Sequence, residues 1–309
     1  MLGKLRMKKI SIMMSTYNGE KFLGEQIESI LNQQDVETSL FIRDDGSTDG
    51  TIAIIEFFQT KYPQRICLFK GKNVGYRKSF LKLLEVVGDA EFYGFADQDD
   101  VWMSQKSINA IQCIERENAL LYASGVILTD GELHVIGRQD ISNMSNSIES
   151  YFSRSRLAGC TFVFPEQLKR IVEQFSNLDF DDATMPDHDF VVGSCAFACG
   201  KVFLDNNSYI YHRRHKTSVT NGGMGISKRI RSEYKYVFHR KNIKLEMAKM
   251  LLEKCEMHLR EENKGFLQSV VEYKISFTKR LKLFSNPKLT SNMFICDLEQ
   301  RIKIILSNY

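Results

Sequence analysis

The sequence predicts an α/β fold built on a largely parallel sheet with helices on both of its faces. Short β-rich runs at residues 10–14, 39–42, 66–69 and 92–96 alternate with segments whose apolar residues recur at helical spacing. The connections have the length of βαβ units, which join parallel strands. A polar cluster follows each of these strands, and ligands of such sheets bind beyond the carboxyl ends of the strands. The pattern therefore predicts a binding crevice formed by several loops.

Apolar spacing and capping residues define the remaining elements of the first half. Residues 22–31 place their apolar side chains on one helical face, and Thr48 or Asp49 is the predicted N-cap of the next helix. A further helix is predicted over 104–117. A strand over 120–128 should turn at an Asp-Gly pair.

The second half of the sequence is less regular. Residues 157–164 predict a strand and 166–175 a helix, while 202–204 and 209–212 predict a hairpin. A Gly-rich stretch at 221–225 is the best candidate for a domain boundary. Beyond it we expect long basic helices, over 227–262, 265–284 and 292–307.

Composition limits the class of protein. With 309 residues, 43% of them hydrophobic, the chain can bury one large core or two modest ones. The seven cysteines are scattered without a CxxC pair, which favours reduced thiols in a cytoplasmic protein. No apolar run is long enough for a signal peptide or a membrane span.

Positive charge is concentrated at the C-terminal end. Residues 226–309 carry 18 Lys and Arg against 9 Asp and Glu, a net charge of +9, so the first 225 residues carry 24 against 29, or −5. A surplus of positive charge on amphipathic helices suits an anionic membrane surface, but solvated helices or a dimer contact explain it equally well. Nucleic-acid binding is disfavoured because the isoelectric point of 8.5 is modest and no recognition motif accompanies the charge.

An acidic cluster ends the fourth predicted strand. Asp97, Asp99 and Asp100 follow the apolar residues 92–96 directly and precede Val101. Carboxylates this close repel one another, and a divalent cation such as Mg²⁺ or Mn²⁺ is the usual reason for placing them beside a core. The alternative is a solvated acidic turn.

Sequence motifs that end the predicted strands resemble those of the family 2 glycosyltransferases. They are SIMMSTYNG at 11–19, IRDDGSTDGT at 42–51, KNVG at 72–75 and FADQDDVW at 95–102. The DQDDVW form, together with the later HD and HRRH segments, resembles bacterial rhamnosyltransferase-like members. The resemblance covers about residues 8–220. It implies the GT-A nucleotide-diphospho-sugar transferase fold, a Rossmann-like mixed sheet flanked by helices, here with a C-terminal helical extension.

The resemblance implies roles for individual residues on the donor side. The nucleotide-sugar, a UDP- or dTDP-sugar, would be bound by residues in the strand-end motifs and by one arginine. These residues are Ser15, Tyr17, Asp45, Asp97, Asp99 and Arg213. The cation, Mn²⁺ or Mg²⁺, would be held by Asp99, Asp100 and His215. Without the resemblance, Tyr17 is as well explained as a cover for the sheet edge, either Asp44 or Asp45 as a turn, and His215 as a surface residue.

The resemblance also implies a catalytic base and an acceptor site. Asp189 matches the base of an inverting, single-displacement reaction, although Asp181, Asp182 or Asp187 could be the inward-pointing acid. His188 is expected to be a hydrogen-bonded neighbour. Gly159 and Cys160 are expected to border the acceptor, with Cys160 not a nucleophile.

The activity implied is transfer of a sugar, such as rhamnose, to a growing bacterial surface glycan in the cytoplasm. The acceptor would be a glycan, free or linked to a polyprenyl diphosphate, reached by peripheral contact with the inner leaflet. Residues 1–222 would form the catalytic domain and 223–309 a basic helical region. The alternatives are an inactive scaffold of a polysaccharide assembly complex and a sugar nucleotidyltransferase, which should carry a Gly-rich, Arg-bearing loop after the first strand.

Overall fold

A computed structural model describes residues 6–175, 185–215 and 242–309 of the chain. The predicted boundary near residues 221–225 lies outside these ranges. The strands are β1 (Lys8–Thr16), β2 (Val36–Asp44), β3 (Ile66–Lys70), β4 (Phe92–Ala96), β5 (Val101–Trp102), β6 (Leu121–Thr129), β7 (Val135–Arg138), β8 (Val163–Pro165) and β9 (Val202–Arg213).

Helices alternate with these strands and then follow them. In chain order they are α1 (Leu23–Leu31), α2 (Thr51–Lys61), α3 (Tyr76–Val86), α4 (Lys106–Glu117), α5 (Ile148–Ser153), α6 (Glu166–Val172), α7 (His188–Cys199), α8 (Ile243–Lys254), α9 (Glu261–Glu272), α10 (Phe277–Phe284) and α11 (Phe294–Ile305). The four predicted strands of the first half and the helices between them are confirmed.

The strands form one mixed sheet in the order β3-β2-β1-β4-β8-β6-β9-β5, with β7 paired to β6. The β1, β2, β3 and β4 strands run parallel, as predicted. The carboxyl ends of these strands therefore meet at one edge of the sheet. The β8 strand pairs antiparallel with both β4 and β6, which makes the whole sheet mixed.

Each face of the sheet is covered by a separate apolar core. In β1, alternate residues point to opposite faces: Ile10, Ile12 and Met14 join one core, and Met13 joins the other. The C-terminal helices contribute Leu251, Leu267 and other residues to the core that contains Met13. In the described residues, the helical extension therefore shares a core with the sheet.

Several local predictions were wrong. The expected hairpin is a single strand, β9, which pairs parallel with β6 through register shifts that absorb its polar middle. The predicted strand over 157–164 begins as a 3₁₀ turn, Gly159–Thr161, and only Val163–Pro165 is extended. The N-cap of α2 is Gly50, although Asp49 accepts a hydrogen bond from the Thr51 N–H at 3.0 Å. The long C-terminal helices are shorter than predicted, with breaks near residues 255–260 and 273–276.

Candidate functional site

The loops at the carboxyl ends of the parallel strands contact one another, as the sequence predicts. The Tyr17 N–H after β1 donates to Gln98 Oε1 after β4 at 2.9 Å. Gln98 Nε2 donates back to the Tyr17 carbonyl at 3.2 Å. The Asn18 N–H donates to Ser47 Oγ after β2 at 2.9 Å. The polar clusters therefore form one crevice wall rather than separate solvated turns.

Asp45 is buried at this edge and is surrounded by hydrogen-bond donors. Its carboxylate accepts the Val74 N–H at 2.9 Å and the Gly75 N–H at 2.8 Å, and it pairs with the Arg43 guanidinium. Gly75 has a φ of +80°, a backbone conformation that glycine adopts readily. The loop after β3 is thus folded around the Asp45 side chain.

Asp44 is the member of the acidic pair that makes a turn. One of its carboxylate oxygens, Oδ2, accepts the N–H groups of Gly46 at 3.0 Å and Ser47 at 2.9 Å. The prediction that one of the two acids builds a turn is therefore confirmed.

Ser15 is linked to Asp45, whereas Tyr17 is exposed. Ser15 Oγ donates to Ser79 Oγ at 2.6 Å, and Ser79 Oγ also accepts from Arg43 at 3.0 Å, so one polar chain links Ser15 to Asp45. The Tyr17 side chain is 48% exposed at the mouth of the crevice, where it can cover a planar ligand.

The acids after β4 form a cluster of another kind. Ligand atoms of Asp97, Asp100, Cys160 and His212 all lie within 4.8 Å of one another. Burial, with the nearby Asp100 carboxylate, raises the pKa of Asp97 to about 7. Burial opposes protonation of His212, but its contact with Asp100, 2.9 Å from Nδ1 to Oδ1, raises the His212 pKa to about 9. Carboxylates are crowded here, and the His212 imidazole partly neutralises their negative charge.

Asp99 faces a second histidine and a buried arginine. Its Oδ2 lies 2.7 Å from His215 Nε2, and burial together with Asp100 raises the pKa of Asp99 despite this contact. The Arg213 guanidinium donates to the Asp99 carbonyl at 3.2 Å, pairs with Glu25 and lies over the Phe22 ring. Its side chain is 3% exposed, so the described contacts already hold it.

The donor atoms of this cluster fit a divalent cation. Carboxylate oxygens and imidazole nitrogens are ligands that Mn²⁺ accepts, and Mg²⁺ takes the carboxylates. The crowding of carboxylates around Asp97, which raises the Asp97 pKa, suits a site that binds a positive charge. Cys160 is a poor ligand for a hard cation. Burial, with Asp100 nearby, raises the pKa of its thiol well above the usual range, so the thiol stays protonated.

Asp189 lies in the first turn of α7. Its Oδ1 accepts the Phe190 N–H at 2.7 Å, and its charge helps to raise the pKa of Asp97. A Cβ added to Gly159 would lie 3.0 Å from the Asp189 Cβ, so the 3₁₀ turn can approach this acid only with glycine there. The predicted base and the acid cluster therefore face the same space.

The other acids and the histidine near Asp189 have different surroundings. Asp187 accepts from the Tyr76 hydroxyl at 2.8 Å and from Arg77 Nε at 2.6 Å, which ties it to the start of α3. Asp181 and Asp182 lie outside the described residues. The prediction that His188 is a hydrogen-bonded neighbour is wrong, because its ring packs against an aromatic side chain instead. Its ring stacks on Phe80 at 3.9 Å, its buried Nδ1 has no hydrogen-bond partner among the described residues, and burial lowers its pKa to about 4.

Comparison with known proteins identifies the family. The family model described as glycosyl transferase family 2 matches residues 11–175. The chain is 33% identical over 234 residues to a dTDP-rhamnosyl transferase, RfbG, of Shigella flexneri, covering 72% of this chain and 77% of that one. This chain belongs to glycosyl transferase family 2.

Two further relatives define the fold and its setting. The structure of S. aureus TarS residues 1–349 in complex with UDP-GlcNAc superposes with a TM-score of 0.62 at 14% identity, over 97% of this chain and 89% of that one. An Escherichia coli UDP-Glc:alpha-D-GlcNAc-diphosphoundecaprenol beta-1,3-glucosyltransferase, WfgD, is 22% identical over 64% of this chain and 78% of its own length. The fold is the GT-A fold with a C-terminal helical extension, and the protein is a glycosyltransferase of bacterial glycan synthesis.

Some residues of this glycosyltransferase site were missed by sequence reasoning. His212 lies against Asp100, and Arg43 holds Asp45. Lys106 is 1% exposed, with its Nζ 3.6 Å from the centre of the Trp102 ring, and burial lowers its pKa to about 7. Lys106 occupies the apolar face of α4, which was a signal available in the sequence. His212 was visible in the sequence only as the first residue of the HRRH segment.

Membrane association is a separate question from the chemistry of this family 2 site. Within residues 6–175, 185–215 and 242–309, none of the helices combines the length and the apolar content that crossing a membrane requires.

Proposed function

We propose that this glycosyltransferase inverts the anomeric carbon as it moves rhamnose from a dTDP-sugar to a growing bacterial surface glycan in the cytoplasm. The observation that supports this proposal is that the charge of Asp189 lies close enough to the acids after β4 to raise the Asp97 pKa. A base and a diphosphate-binding cluster on opposite sides of one space can hold an acceptor hydroxyl and a donor between them.

The donor nucleotide would lie along the edge formed by β1, β2 and β3. Asp45, fixed by Val74 and Gly75, would accept from the imide N–H of a uracil or thymine ring. Ser15 and Tyr17 would line the base and ribose, and Asp97 and Asp99 the ribose and diphosphate. The Arg213 guanidinium contacts the Asp99 carbonyl. Arg213 would therefore assist binding of the diphosphate indirectly, by fixing the Asp99 backbone.

The cation would be held by Asp99, Asp100 and His215, with Asp97 beside them. When bound, Mn²⁺ or Mg²⁺ would neutralise charge that develops on the departing nucleoside diphosphate. The protein's own contribution is to bring these acids together in a half-buried place. There, His212 and His215 limit their mutual repulsion.

Asp189 would remove the proton from the acceptor hydroxyl as that oxygen attacks the anomeric carbon. The absence of a side chain at Gly159 lets the 3₁₀ turn, which would border the acceptor, pack directly against Asp189. One displacement with one base inverts the configuration at this carbon. Cys160 has no role as a nucleophile, because its thiol stays protonated and a single displacement requires none.

The names of the relatives support the substrate classes. The S. flexneri relative is described as a dTDP-rhamnosyl transferase, which favours dTDP-rhamnose over a UDP-sugar. The E. coli relative is described as acting on a sugar diphosphoundecaprenol, which favours a polyprenyl-diphosphate-linked glycan acceptor presented at the inner leaflet. Peripheral contact of the C-terminal helices with that leaflet would bring the two substrates together.

Turnover of Asp189→Asn tests the assignment of the base. Loss of a general base lowers turnover by about 10² to 10⁴-fold, so we expect a loss of this size in sugar transfer from dTDP-rhamnose. Binding of dTDP, measured by thermal shift, should be unchanged. NMR of the product should show the inverted anomeric configuration.

Asp187→Asn is the matched control, since Asp187 is engaged by Tyr76 and Arg77. It should retain most of the turnover. Full turnover of Asp189→Asn, or a retained configuration in the product, would overturn the mechanism, and Asp181→Asn and Asp182→Asn would then be tested as the base.

A further inference from the structure

Helix α11 carries its apolar residues on its outer face. Exposed fractions are 82% for Phe294, 66% for Ile295 and 56% for Ile305. The other exposed apolar residues of this stripe are Leu298, Ile302 and Leu306. Their spacing of three to four residues places them along one side of the helix. A stripe of this kind on a water-soluble helix would normally face the core.

The inner face of α11 combines the buried Cys296 and Ile304 with three polar residues. Glu299, Gln300 and Lys303 are 7%, 0% and 4% exposed. Glu299 pairs with Arg154 of the α5 end at 3.0 Å, and Gln300 Oε1 accepts from the buried Lys244 Nζ at 2.6 Å. These contacts fix the rotation of the helix. The apolar face is therefore turned outward by specific interactions and not by a loosely packed end.

Helix α10 runs antiparallel beside α11 and extends the apolar surface. Arg280 donates to the Ile305 carbonyl at 3.4 Å, and Arg301 donates to the Phe284 carbonyl at the other end of the pair. Phe277 is 76% exposed and Leu281, one turn further along α10, is 51% exposed. The two helices thus present adjacent apolar side chains.

The segment that carries these two helices has a positive net charge. Residues 273–309 contain seven Lys and Arg but only two acids, a net charge of +5. Both acids are turned inward: Asp297 accepts from Ser291 and Ser153, and Glu299 pairs with Arg154. Lys282 and Lys288 are exposed and pair with no acid within the described ranges.

We propose that α10 and α11 form a docking surface for an anionic phospholipid bilayer, with their axes in the plane of the membrane. Apolar side chains would enter the headgroup boundary while lysines contact lipid phosphates, which is how interfacial helices bind. A second copy of the chain fits less well, because a two-fold contact would place this positive patch against itself.

The docking surface is one helix away from the proposed catalytic base. Helix α5 contacts α11 through Ser153, and the Tyr151 hydroxyl of α5 donates to the Asp189 carbonyl at 2.8 Å. This proposal rests on the proposed function and assigns its peripheral membrane contact to α10 and α11. Docking would hold the acceptor side of the crevice near the leaflet that carries a lipid-linked glycan.

Flotation of the full-length protein with vesicles tests the docking surface. The wild-type protein should float with vesicles of phosphatidylethanolamine and phosphatidylglycerol. The double variant Phe294→Glu with Ile305→Glu should bind at least about tenfold more weakly, because two apolar side chains that would enter the membrane are replaced by charged ones. The matched control Val135→Glu with Ile136→Glu, on exposed apolar residues of β7, should float as wild type.

A second pair of variants tests the contribution of positive charge to membrane binding. It also gives an independent test if the first double variant does not fold. Lys282→Gln and Lys288→Gln should each weaken binding about fivefold, and vesicles of phosphatidylcholine should bind the wild-type protein poorly. Equal flotation of the apolar variant and the wild-type protein would overturn the proposal, as would equal binding to neutral vesicles. So would light scattering that shows a wild-type dimer and a monomeric apolar variant, since the face would then join two copies.

The catalytic variant Asp189→Asn separates this proposal from the proposed reaction. It should float as the wild-type protein does, whether or not it transfers sugar. Loss of flotation in that variant would contradict a docking surface confined to α10 and α11.

Discussion

Two acidic loops at the same sheet edge stabilise buried negative charge with different partners. After β2, Asp44 and Asp45 are surrounded by backbone N–H groups and Arg43. After β4, Asp97 and Asp100 lie together with His212, and Asp99 contacts the imidazole of His215. The carboxylates of the first loop are neutralised by groups of the chain itself, whereas those of the second loop would hold the proposed cation. In the proposed reaction, the loop after β2 would therefore shape the pocket for the nucleotide base, and the loop after β4 would hold the diphosphate.

Opposite effects on stability should separate the two loops when no cation is present. Asp45→Asn should lower the free energy of unfolding by about 1–3 kcal/mol, because it removes charge-assisted hydrogen bonds and leaves Arg43 without its partner. Asp97→Asn should instead raise it by about 1 kcal/mol or more, since the Asp97 pKa near 7 marks an ionised form that the fold disfavours. Denaturant unfolding in EDTA measures both.

The exposed turn residue Asp130 supplies the control for this pair. Asp130→Asn removes an acid whose contacts are local and should change stability only slightly. If Asp97→Asn destabilises the protein as much as Asp45→Asn does, the contrast between the loops is wrong.

A smaller effect concerns the pH dependence of the first loop. Burial tends to raise the pKa of Asp49, but its hydrogen bonds from the Thr51 hydroxyl and from the N–H groups of Thr51 and Glu20 outweigh burial and lower the pKa. A carboxyl with a lowered folded-state pKa contributes stability that is present above its unfolded pKa, near 4, and is lost as pH falls through the folded value. Asp49→Asn should therefore lower stability at pH 7 by a few tenths of a kcal/mol and by less near pH 2.

Urea unfolding at the two pH values measures that difference. Asp35→Asn, which changes another acid next to a strand, serves as the comparison. An identical loss of stability for Asp49→Asn at both pH values would show that hydrogen-bonding shape, not charge, is what the loop requires.

Local patterns in the sequence predicted the strands β1 to β4 and the loops that follow them well. The β-rich runs ending in polar residues predicted β1, β2, β3 and β4, and the convergence of their loops followed from parallel pairing. These predictions succeed because each depends on a strand and the few residues after it.

Features that depend on distant contacts were not predicted. The polar residues in the middle of β9 suggested a turn, but pairing with β6 tolerates them through register shifts. His212 becomes a partner of Asp100 only because β9 pairs with β5, 110 residues before it. The inverted face of α11 depends on Arg154 and Lys244, which no periodicity in residues 294–305 reveals.

The measurement that tests the central claim most directly is a thermal-shift panel of dTDP, UDP, GDP and CDP, each with Mn²⁺, Mg²⁺ or EDTA. A ligand that binds only the folded state adds about 2.7 kcal/mol at a hundredfold excess over its dissociation constant. We expect stabilisation by dTDP, with UDP weaker, only when a cation is present, and loss of this effect in Asp99→Asn. Equal stabilisation by dTDP in EDTA, or no response to any nucleotide, would contradict a cation-assisted dTDP-sugar transferase.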